Sequence, residues 1–406
     1  MEGSVVILRA GWLPTRQANG LQTISMGHAF TQLGFQTTLY YIPSPYVKND
    51  PLRFYDSKPR IILKPLPRAV FPINKNFKLE KLRSLPSFLH AFVWSGVVSH
   101  LTSGSKVDFF FVREPMIAWW LGRRGLPTVL EIHDMPKGRE RIFIRRASQQ
   151  SSVRLVLAVT EHLRADLVKQ LLVPTEKLLT LHDGIDLRLS NLSTNKEKAR
   201  QRLGLPLGKP MVVYTGQLDT EKGVEILARA APMLRDVDII IVGIGPLADG
   251  QLQRVIRKVN ATNVKLLGLK PHLDALLFQQ AADVLALPHS SKFLHSAYYT
   301  SPLKLFEYMA AGAPIVASEL PATCEVLRHR ENGWLVQPDN PAALAEGIRH
   351  LLEDKNLASA LAQQAARDVE GYTWENRAAC ILESMGLTVS ESAKMPMRAA
   401  TERQIV

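Results

Sequence analysis

Short apolar runs alternate with longer helical stretches along nearly the whole chain, and this alternation constrains the fold more than any other feature. In the first half, the strand-like runs occupy residues 4–8, 37–42, 109–112, 128–132 and 153–159. In the second half, they occupy residues 211–214, 238–242, 264–267, 284–287, 314–317 and 333–336. Continuous apolar strands between helices are typical of parallel βα units whose sheet is covered on both faces. The pattern therefore predicts an α/β protein.

A break rich in glycine and proline, QRLGLPLGKP, separates the two series of strands. A chain of 406 residues is also too long for one ordinary core. We therefore predict two doubly wound, Rossmann-like domains facing each other across a cleft, at residues 1–190 and 191–371. Residues 372–386 are expected to form a C-terminal helix that packs back toward the first domain, and residues 387–406 a flexible tail.

The positive charge of the chain is concentrated in its first half. Of the net charge of +13, residues 1–190 carry 26 Lys and Arg against 14 Asp and Glu, while the remainder carries 24 against 23. This asymmetry predicts an anionic partner for the first half: a membrane surface, a phosphorylated acceptor or a nucleic acid. The mixed cations and aromatic side chains of residues 46–77 suit an anionic interface such as a membrane surface. A solvated basic face without a partner is the alternative. No recognised nucleic-acid-binding module accompanies the charge, so we expect no nucleic acid.

Composition and cysteine content narrow the class of protein. With 46% hydrophobic and 21% charged residues, the chain has an ordinary globular balance. Its two cysteines, Cys324 and Cys380, form no CxxC pair, which argues against a disulfide framework or a zinc site. The apolar stretch 85–101 contains two histidines and a proline and is shorter than the ~20 residues of a transmembrane helix. We therefore expect a cytoplasmic protein that associates peripherally with the membrane.

Two glycine-containing loops follow strands of the second half. In YTGQLDTEKGVEIL, the strand ends at Gly216 and a helix begins near Gly223, so Lys222 would lie at the helix N-terminus, a favourable position for a diphosphate. The segment lacks the GxxxxGK[ST] pattern of a P-loop. Gly243 follows another strand in VGIGP, but the third Rossmann glycine is missing, which favours a nucleotide pocket over an NAD site.

A single carboxylate in the stretch SPLKLFEYMAAG suggests a ligand. Glu307 lies in the same turns as apolar residues, so its charge needs a partner. A carboxylate can accept two hydrogen bonds from the vicinal diol of a ribose, while N–H groups of the preceding loop bind phosphate. A glutamate on the helix surface is the alternative reading.

Two strand ends of the first half also carry candidate residues. Gly20 ends PTRQANG just before a helical pattern, where backbone N–H groups can approach an anion, although a plain turn has the same signature. In EIHDMPKGRERIFIRR, His133 beside Asp134 could transfer a proton, and the cations that follow could hold phosphate: Lys137, Arg139 and Arg141. Alternatively, Asp134 caps the next segment and the cations are solvated.

The Asp-x-Asp sequence of the chain, Asp236-Val237-Asp238, precedes a strand and therefore lies at its amino end, opposite the expected site. We interpret it as surface capping and predict no metal site.

Five segments together resemble the donor half of glycosyltransferase family 4. They are LHDGIDL, VYTGQLDTEKGVEIL, IIIVGIGP, VKLLGLKPHLDALLFQQAADVLALPHS and SPLKLFEYMAAGAPIVASELPATCEVLRHRENGWLVQPDNPAAL. The resemblance covers residues 180–352 closely and the first half more loosely. It implies a retaining, hexosyl-type transferase of the GT-B fold that uses a nucleotide sugar without metal or cofactor. It also implies an acceptor hydroxyl that is commonly lipid-linked or part of a cell-surface glycan precursor.

The resemblance assigns roles to matching positions. It implies that Glu307 binds the ribose, Lys222 contacts the donor diphosphate, Gly20 belongs to a phosphate-facing loop and His133 lies near the donor sugar. The loop and first turn around the diphosphate would come from one short run: Ser301, Pro302, Leu303 and Lys304.

Two positions depart from the family pattern. Tyr299 stands where the family often has a sugar-contacting glutamate, and Gln217 stands where it often has an arginine. These departures keep open a non-catalytic nucleotide-sugar sensor or assembly protein. A nucleotide-sugar epimerase of the same fold is a further alternative.

Overall fold

The computed structural model describes residues 3–15, 17–47, 49–55, 61–66, 84–102, 104, 107–190, 195–248 and 250–388. Over these ranges the chain forms two compact units. The first contains residues 3–159, 163–181 and 374–388, and the second contains residues 160–162 and 182–373. The change of unit at residue 182 thus comes before residue 190, the end of the predicted first domain.

The first unit is built on a parallel sheet of seven strands in the order β3-β2-β1-β4-β5-β6-β7. These strands are β1 Gly3–Leu13, β2 Phe35–Pro43, β3 Ile62–Pro65, β4 Phe109–Val112, β5 Thr128–Ile132, β6 Val153–Ala158 and β7 Leu178–Thr180. The helices up to β7 are α1 Ala18–Gln32, α2 Pro51–Phe54, α3 Ser84–Thr102, α4 Pro115–Arg123, α5 Glu140–Ser148 and α6 Glu161–Leu171. The last helix within the described residues, which we label α16, is Trp374–Ser384 and belongs to this unit.

The second unit is built on a parallel sheet of six strands in the order β10-β9-β8-β11-β12-β13. Its strands are β8 Met211–Thr215, β9 Asp238–Val242, β10 Val264–Leu266, β11 Val284–Leu287, β12 Ile315–Ser318 and β13 Trp334–Val336. Its helices are α7 Leu187–Ser190, α8 Lys196–Leu203, α9 Val224–Ala230, α10 Gln251–Lys258, α11 His272–Gln280, α12 Leu303–Ala310, α13 Pro321–Cys324, α14 Pro341–Glu353 and α15 Lys355–Asp368.

The apolar runs of the second unit are continuous because its sheet is covered on both faces. Val212 and Tyr214 of β8 pack in one apolar cluster, while Met211 and Val213 of the same strand pack in the other. All four are fully buried. Alternate residues of a strand point to opposite faces, so a strand between two cores has no polar face.

The interior strands agree best with the sequence prediction. The predicted bounds of 109–112, 128–132, 238–242 and 284–287 are confirmed at both ends. The edge strands β3 and β7 were not predicted. Three of the four residues of β3 are exposed, so it lacks the continuous apolar run of a buried strand. The apolar stretch 85–101 forms α3, and no helix in the described ranges is both long enough and apolar enough to span a bilayer.

Candidate functional site

The strand order of the second sheet reverses between β8 and β11. Connections run outward from β8 through β9 to β10 on one side, and from β11 through β12 to β13 on the other. Ligands of open parallel sheets bind at the carboxyl ends of the strands, at the point where the order reverses. The loops that follow β8 and β11 are therefore the first place to look for a site.

Two predicted donor-pocket glycines allow the ends of β8 and β9 to approach each other. A Cβ atom on Gly243 would lie 1.7 Å from the carbonyl oxygen of Gly216. A Cβ atom on Gly216, whose φ is 124°, would lie 2.8 Å from Nζ of Lys304. The absence of side chains at both positions leaves room beside this ammonium group.

Lys222 ends a 3₁₀ turn, Thr220–Lys222, that leads into α9. Its Nζ lies 3.0 Å from Oε1 of Glu221, and its side chain is only 12% exposed. Gly223 follows in the left-handed conformation, with φ at 67°, and packs directly on the backbone of Pro288 after β11. The loop after β8 is therefore joined to the loop after β11.

Lys304 lies in the first turn of α12, where it contacts the end of β8. Its Nζ donates to the hydroxyl of Tyr214 at 2.8 Å and lies 4.1 Å from the centre of that ring. The Tyr214 hydroxyl in turn donates to the carbonyl of Gln217 at 2.6 Å. Burial, followed by the neighbouring charge of Lys222, holds the pKa of Lys304 well below its usual value, although Glu307 opposes this shift.

Glu307 has two partners within the chain, and both come from α11. Oε1 lies 2.8 Å from Nε2 of His272, and Oε2 accepts a hydrogen bond of 2.9 Å from Nε2 of Gln279. Gln279 also donates to Oγ1 of Thr215 at 2.9 Å. Burial by itself raises the pKa of Glu307, but these hydrogen bonds, with the charges of His272 and Lys304, outweigh it and lower the pKa. The carboxylate is held in the ionised form.

The run before α12 lies at the same end of the sheet. Oγ of Ser301 accepts the N–H of Asp183 at 2.8 Å, and α12 begins at Leu303 directly after Pro302. Because a helix leaves its first N–H groups without intrahelical acceptors, Leu303 and Lys304 present donors to this region. Tyr299 is buried in the turn His295–Tyr299, and the Gln217 side chain is exposed.

The sequence predicted that Gly20 lies in a loop before a helix, but it lies within the helix. Strand β1 continues to Leu13, α1 begins at Ala18, and Gly20 is the third residue of that helix. A Cβ atom there would lie 2.0 Å from the hydroxyl oxygen of Tyr55, which donates to the carbonyl of Thr15 at 2.7 Å. Gly20 thus makes room for a tyrosine that holds the segment before α1.

His133 belongs to a buried polar network at the carboxyl end of β5. Its Nε2 lies 3.0 Å from Oε2 of Glu131 and 3.0 Å from Nε2 of Gln22. Oε1 of Glu131 is 2.6 Å from Nη2 of Arg377 on α16. Burial and the charge of Arg113 lower the pKa of His133 to about 4, although Glu131 opposes this shift. The imidazole is therefore neutral at neutral pH.

The residues that follow His133 form a more open segment. Oδ1 of Asp134 accepts the N–H of Met135 at 2.8 Å. The next helix, α5, begins at Glu140 after Arg139, so Asp134 does not cap it. The Lys137 and Arg139 side chains are exposed, and Arg141 approaches Gln170 at 3.4 Å.

Sequence reasoning missed three residues of the second unit: His272, Gln279 and His289. The first two lie on α11, 35 and 28 positions before Glu307, so no local pattern joins them to it. His289 could have been noticed, because it follows a buried strand directly, in the position that drew attention to His133.

Asp238 was predicted to be a surface cap, and this prediction is wrong. Its carboxylate is buried at the amino end of β9, where it pairs with Lys209 at 2.5 Å and Lys265 at 3.0 Å. Both oxygens are engaged by lysines.

Two family models match consecutive parts of the chain. Residues 22–189 match the model described as glycosyltransferase family 4, and residues 195–368 match the model described as glycosyl transferases group 1. Each match lies mainly within one of the two units.

Two individual relatives are each less than 30% identical to this chain. The chain is 28% identical over 231 residues to an uncharacterized glycosyltransferase of Methanocaldococcus jannaschii, covering 54% of this chain and 57% of the relative. It is 29% identical over 199 residues to a D-inositol 3-phosphate glycosyltransferase of Corynebacterium urealyticum, covering 46% of this chain and 45% of the relative. The chain thus spans about half the length of these curated relatives.

The fold also matches solved structures over nearly the whole chain. Anabaena Alr3699/HepE, in complex with UDP and glucose, aligns with a TM-score of 0.69 at 19% identity, covering 95% of this chain and 99% of that one. Together with the two parallel-sheet units, this likeness gives the protein a GT-B α/β fold. The two family matches and the fold agree: the chain belongs to the group 1 glycosyltransferases of family 4.

Proposed function

We propose that this protein transfers a sugar from a nucleoside diphosphate sugar to a hydroxyl acceptor, with retention at the anomeric carbon and without a metal ion. One observation carries the proposal. Lys222, Lys304 and the first turn of α12 meet where the sheet order reverses, and Glu307 lies one helical turn further along α12.

The two lysines suit a diphosphate. Burial and the charge of Lys222 hold the pKa of Lys304 low, so a negative charge placed beside Lys304 would favour its ammonium form. A diphosphate bound here would supply that charge, and the first N–H groups of α12 would add directional donors. This site needs no divalent cation to neutralise the anion.

Glu307 suits the ribose of the same nucleotide. Each of its oxygens already accepts one hydrogen bond within the chain, and each retains a lone pair for a hydroxyl. His272 and Gln279 would therefore fix the orientation of the carboxylate before the nucleotide binds. Preorganisation of this kind lowers the entropy cost of binding.

In the proposed reaction, the bond between the anomeric carbon and the diphosphate oxygen breaks while the acceptor oxygen bonds to the same face of the sugar. The proton of the acceptor hydroxyl passes to the departing diphosphate, so charge and atoms balance. Negative charge grows on the leaving group, where Lys222 and Lys304 stabilise it. Removing one preorganised donor of this type typically costs about 3 kcal/mol of transition-state stabilisation.

We propose that the acceptor is presented at the cytoplasmic surface of a membrane. Most of segment 46–77 lies outside the described residues. However, α3 exposes an apolar stripe of three residues spaced by four: Val93, Val97 and Leu101, which are 59%, 41% and 56% exposed. Flotation with anionic and with zwitterionic liposomes tests this contact. Equal recovery with both lipids would contradict a role for the basic charge.

The decisive experiment measures binding and turnover together. A panel of nucleotide sugars, beginning with UDP-glucose, is incubated with the protein and a membrane extract, and release of free nucleoside diphosphate is followed. We expect Lys304→Met to lower kcat/KM by about a hundredfold, and Glu307→Gln to weaken donor binding by about tenfold.

Glu346→Gln is the matched control, since Glu346 is an exposed carboxylate on α14. If both site variants bind and turn over donors like the wild type, the site is misassigned. If the wild type binds a donor without turnover across the panel, the protein is a sensor rather than a transferase. Conversion of the donor to an epimer would indicate the epimerase alternative.

A further inference from the structure

His289 follows β11 and Pro288 at the carboxyl end of the second sheet. Its imidazole is fully buried, and neither ring nitrogen has a hydrogen-bond partner among the residues that the structure describes. Buried polar groups are nearly always paired, because an unpaired one loses its hydrogen bonds to water without compensation. Both nitrogens of this ring are therefore available to a ligand.

The backbone, rather than the ring, holds His289 in place. The carbonyl of Pro288 packs against Gly223, and the N–H of Ser290 donates to the carbonyl of Glu221 at 3.0 Å. Beyond it, Ser290 Oγ donates to Oδ1 of Asp339 at 2.6 Å, and the N–H of Ser291 donates to Oδ2 at 2.9 Å. The neighbours on both sides are fixed, so the ring is positioned without the use of its nitrogens.

The groups that face this ring are mainly cationic or basic and come from three elements. Lys222 belongs to the turn before α9, Lys304 to α12 and His295 to the turn after β11. Burial first, and then these three groups, hold the pKa of His289 well below its ordinary value. The carboxylates of the surrounding segments are already engaged: Glu221 pairs with Lys222, Glu307 with His272, and Asp339 with Ser290 and Ser291. Without a ligand, the imidazole is neutral.

We propose that His289 is a third ligand of the diphosphate: its imidazole, beside Lys222 and Lys304, hydrogen-bonds to a phosphate oxygen and takes up one proton from solvent as the anion binds. This inference rests on the proposed function. Neutral imidazole has one donor and one acceptor nitrogen, so it can donate to the anion before it is protonated. Arrival of the anion offsets the positive charge that, together with burial, had kept the ring neutral.

Protonation of His289 would also stabilise the transition state more than it stabilises the bound donor. Negative charge grows on the diphosphate as its bond to the sugar breaks, before it takes up the proton of the acceptor hydroxyl. An imidazolium beside it is therefore stabilised more as the sugar departs than before, and an interaction that strengthens toward the transition state accelerates the chemical step.

Calorimetric titration of the full-length protein with UDP near pH 6.5, in buffers of different ionisation enthalpy, measures proton uptake on binding. We compare the wild type with His289→Asn and His289→Gln. The control is His350→Asn, which removes another histidine of the unit, on α14 against Trp334. We expect the wild type and His350→Asn to take up about one proton more than either His289 variant, and the His289 variants to bind about tenfold more weakly.

Imidazole ¹⁵N NMR of the wild type gives a second readout that does not depend on how the variants fold. We expect UDP to convert one neutral histidine into an imidazolium. If no histidine changes state, or if proton uptake and affinity are the same in the folded His289 variants, the inference is wrong while the nucleotide site stands. If the wild type binds no nucleoside diphosphate among UDP, GDP and ADP, the proposed function itself is wrong.

Discussion

Gly223 and Gly268 share a left-handed backbone, with φ at 67° and 68°, and differ in the space around them. A Cβ on Gly268 would meet no described atom within 4 Å, whereas one on Gly223 would lie 1.6 Å from the carbonyl oxygen of Pro288. We expect Gly268→Ala to cost about 1 kcal/mol from backbone strain alone, and Gly223→Ala roughly 3 kcal/mol or more, because Pro288 must move.

Chemical unfolding of both variants measures this difference, since their backbone strain is the same. Gly223→Ala should also weaken UDP binding, because it displaces the loop that carries His289. Equal losses of stability in the two variants would contradict the close contact between the loops after β8 and β11.

His133 makes a pH-dependent contribution to stability. Its pKa is lowered from 6.5 to about 4 in the folded protein, so folding favours the neutral ring. The associated stability is present above pH 6.5 and is lost as the pH falls from 6.5 toward 4, because the unfolded chain binds the proton first. The loss can reach roughly 3 kcal/mol.

Urea unfolding of the wild type and of His133→Asn between pH 4 and 7.5 tests this prediction. The free energy of unfolding of the wild type should fall more steeply with acid than that of the variant. Parallel curves would mean that His133 has an ordinary pKa in the folded state.

At the scale of elements, α16 is held to the first unit by a buried ion pair. Arg377 and Glu131 are 3% and 1% exposed at their side chains, with Nη2 and Oε1 2.6 Å apart. Glu131→Gln would leave the guanidinium of Arg377 buried without its counter-charge. Breaking such a pair from one side costs about 3–5 kcal/mol.

The double variant Glu131→Met with Arg377→Met is the comparison, because apolar replacement of both partners removes the unpaired charge. We expect it to be more stable than Glu131→Gln in chemical unfolding. If the single variant is the more stable one, the pair does not hold α16 as described.

Element bounds show where sequence patterns are informative and where they fail. Strands β4, β5, β9 and β11 were predicted at both ends because their side chains are buried on both faces, which leaves a continuous apolar run. In contrast, β1 extends through Gly11 and Trp12 to Leu13, beyond the predicted end at residue 8. Helix α1 also begins earlier than predicted, so Gly20 lies in a helix rather than in a loop.

At the scale of the whole molecule, the proposed function predicts where a nucleotide protects the chain. Hydrogen exchange of the full-length protein with saturating UDP should slow in three segments of the second unit: residues 214–223, 288–291 and 301–307. These segments meet through Lys304, Gly223 and Ser290. Because bound ligand stabilises the segments that contact it, exchange elsewhere should change less. Protection confined to the first unit would contradict the proposed site.

Sequence patterns were sufficient to predict the α/β class and the two series of strands. They also indicated the loop that follows β8 and the run that precedes α12. These features depend on periodicity and on the conformational demands of glycine, which are local along the chain. The sequence also required a partner for Glu307, since a charge among apolar residues needs one.

Which groups meet can be seen only in the folded chain. His272 and Gln279 reach Glu307 from another helix, His289 lies among cations from separate elements, and Arg377 reaches Glu131 from the last helix. Residues far apart in sequence come together through the strand order of each sheet, and local patterns carry no information about that order. The pKa values of His133, His289 and Lys304 depend on those contacts and on burial, so they follow from the folded state alone.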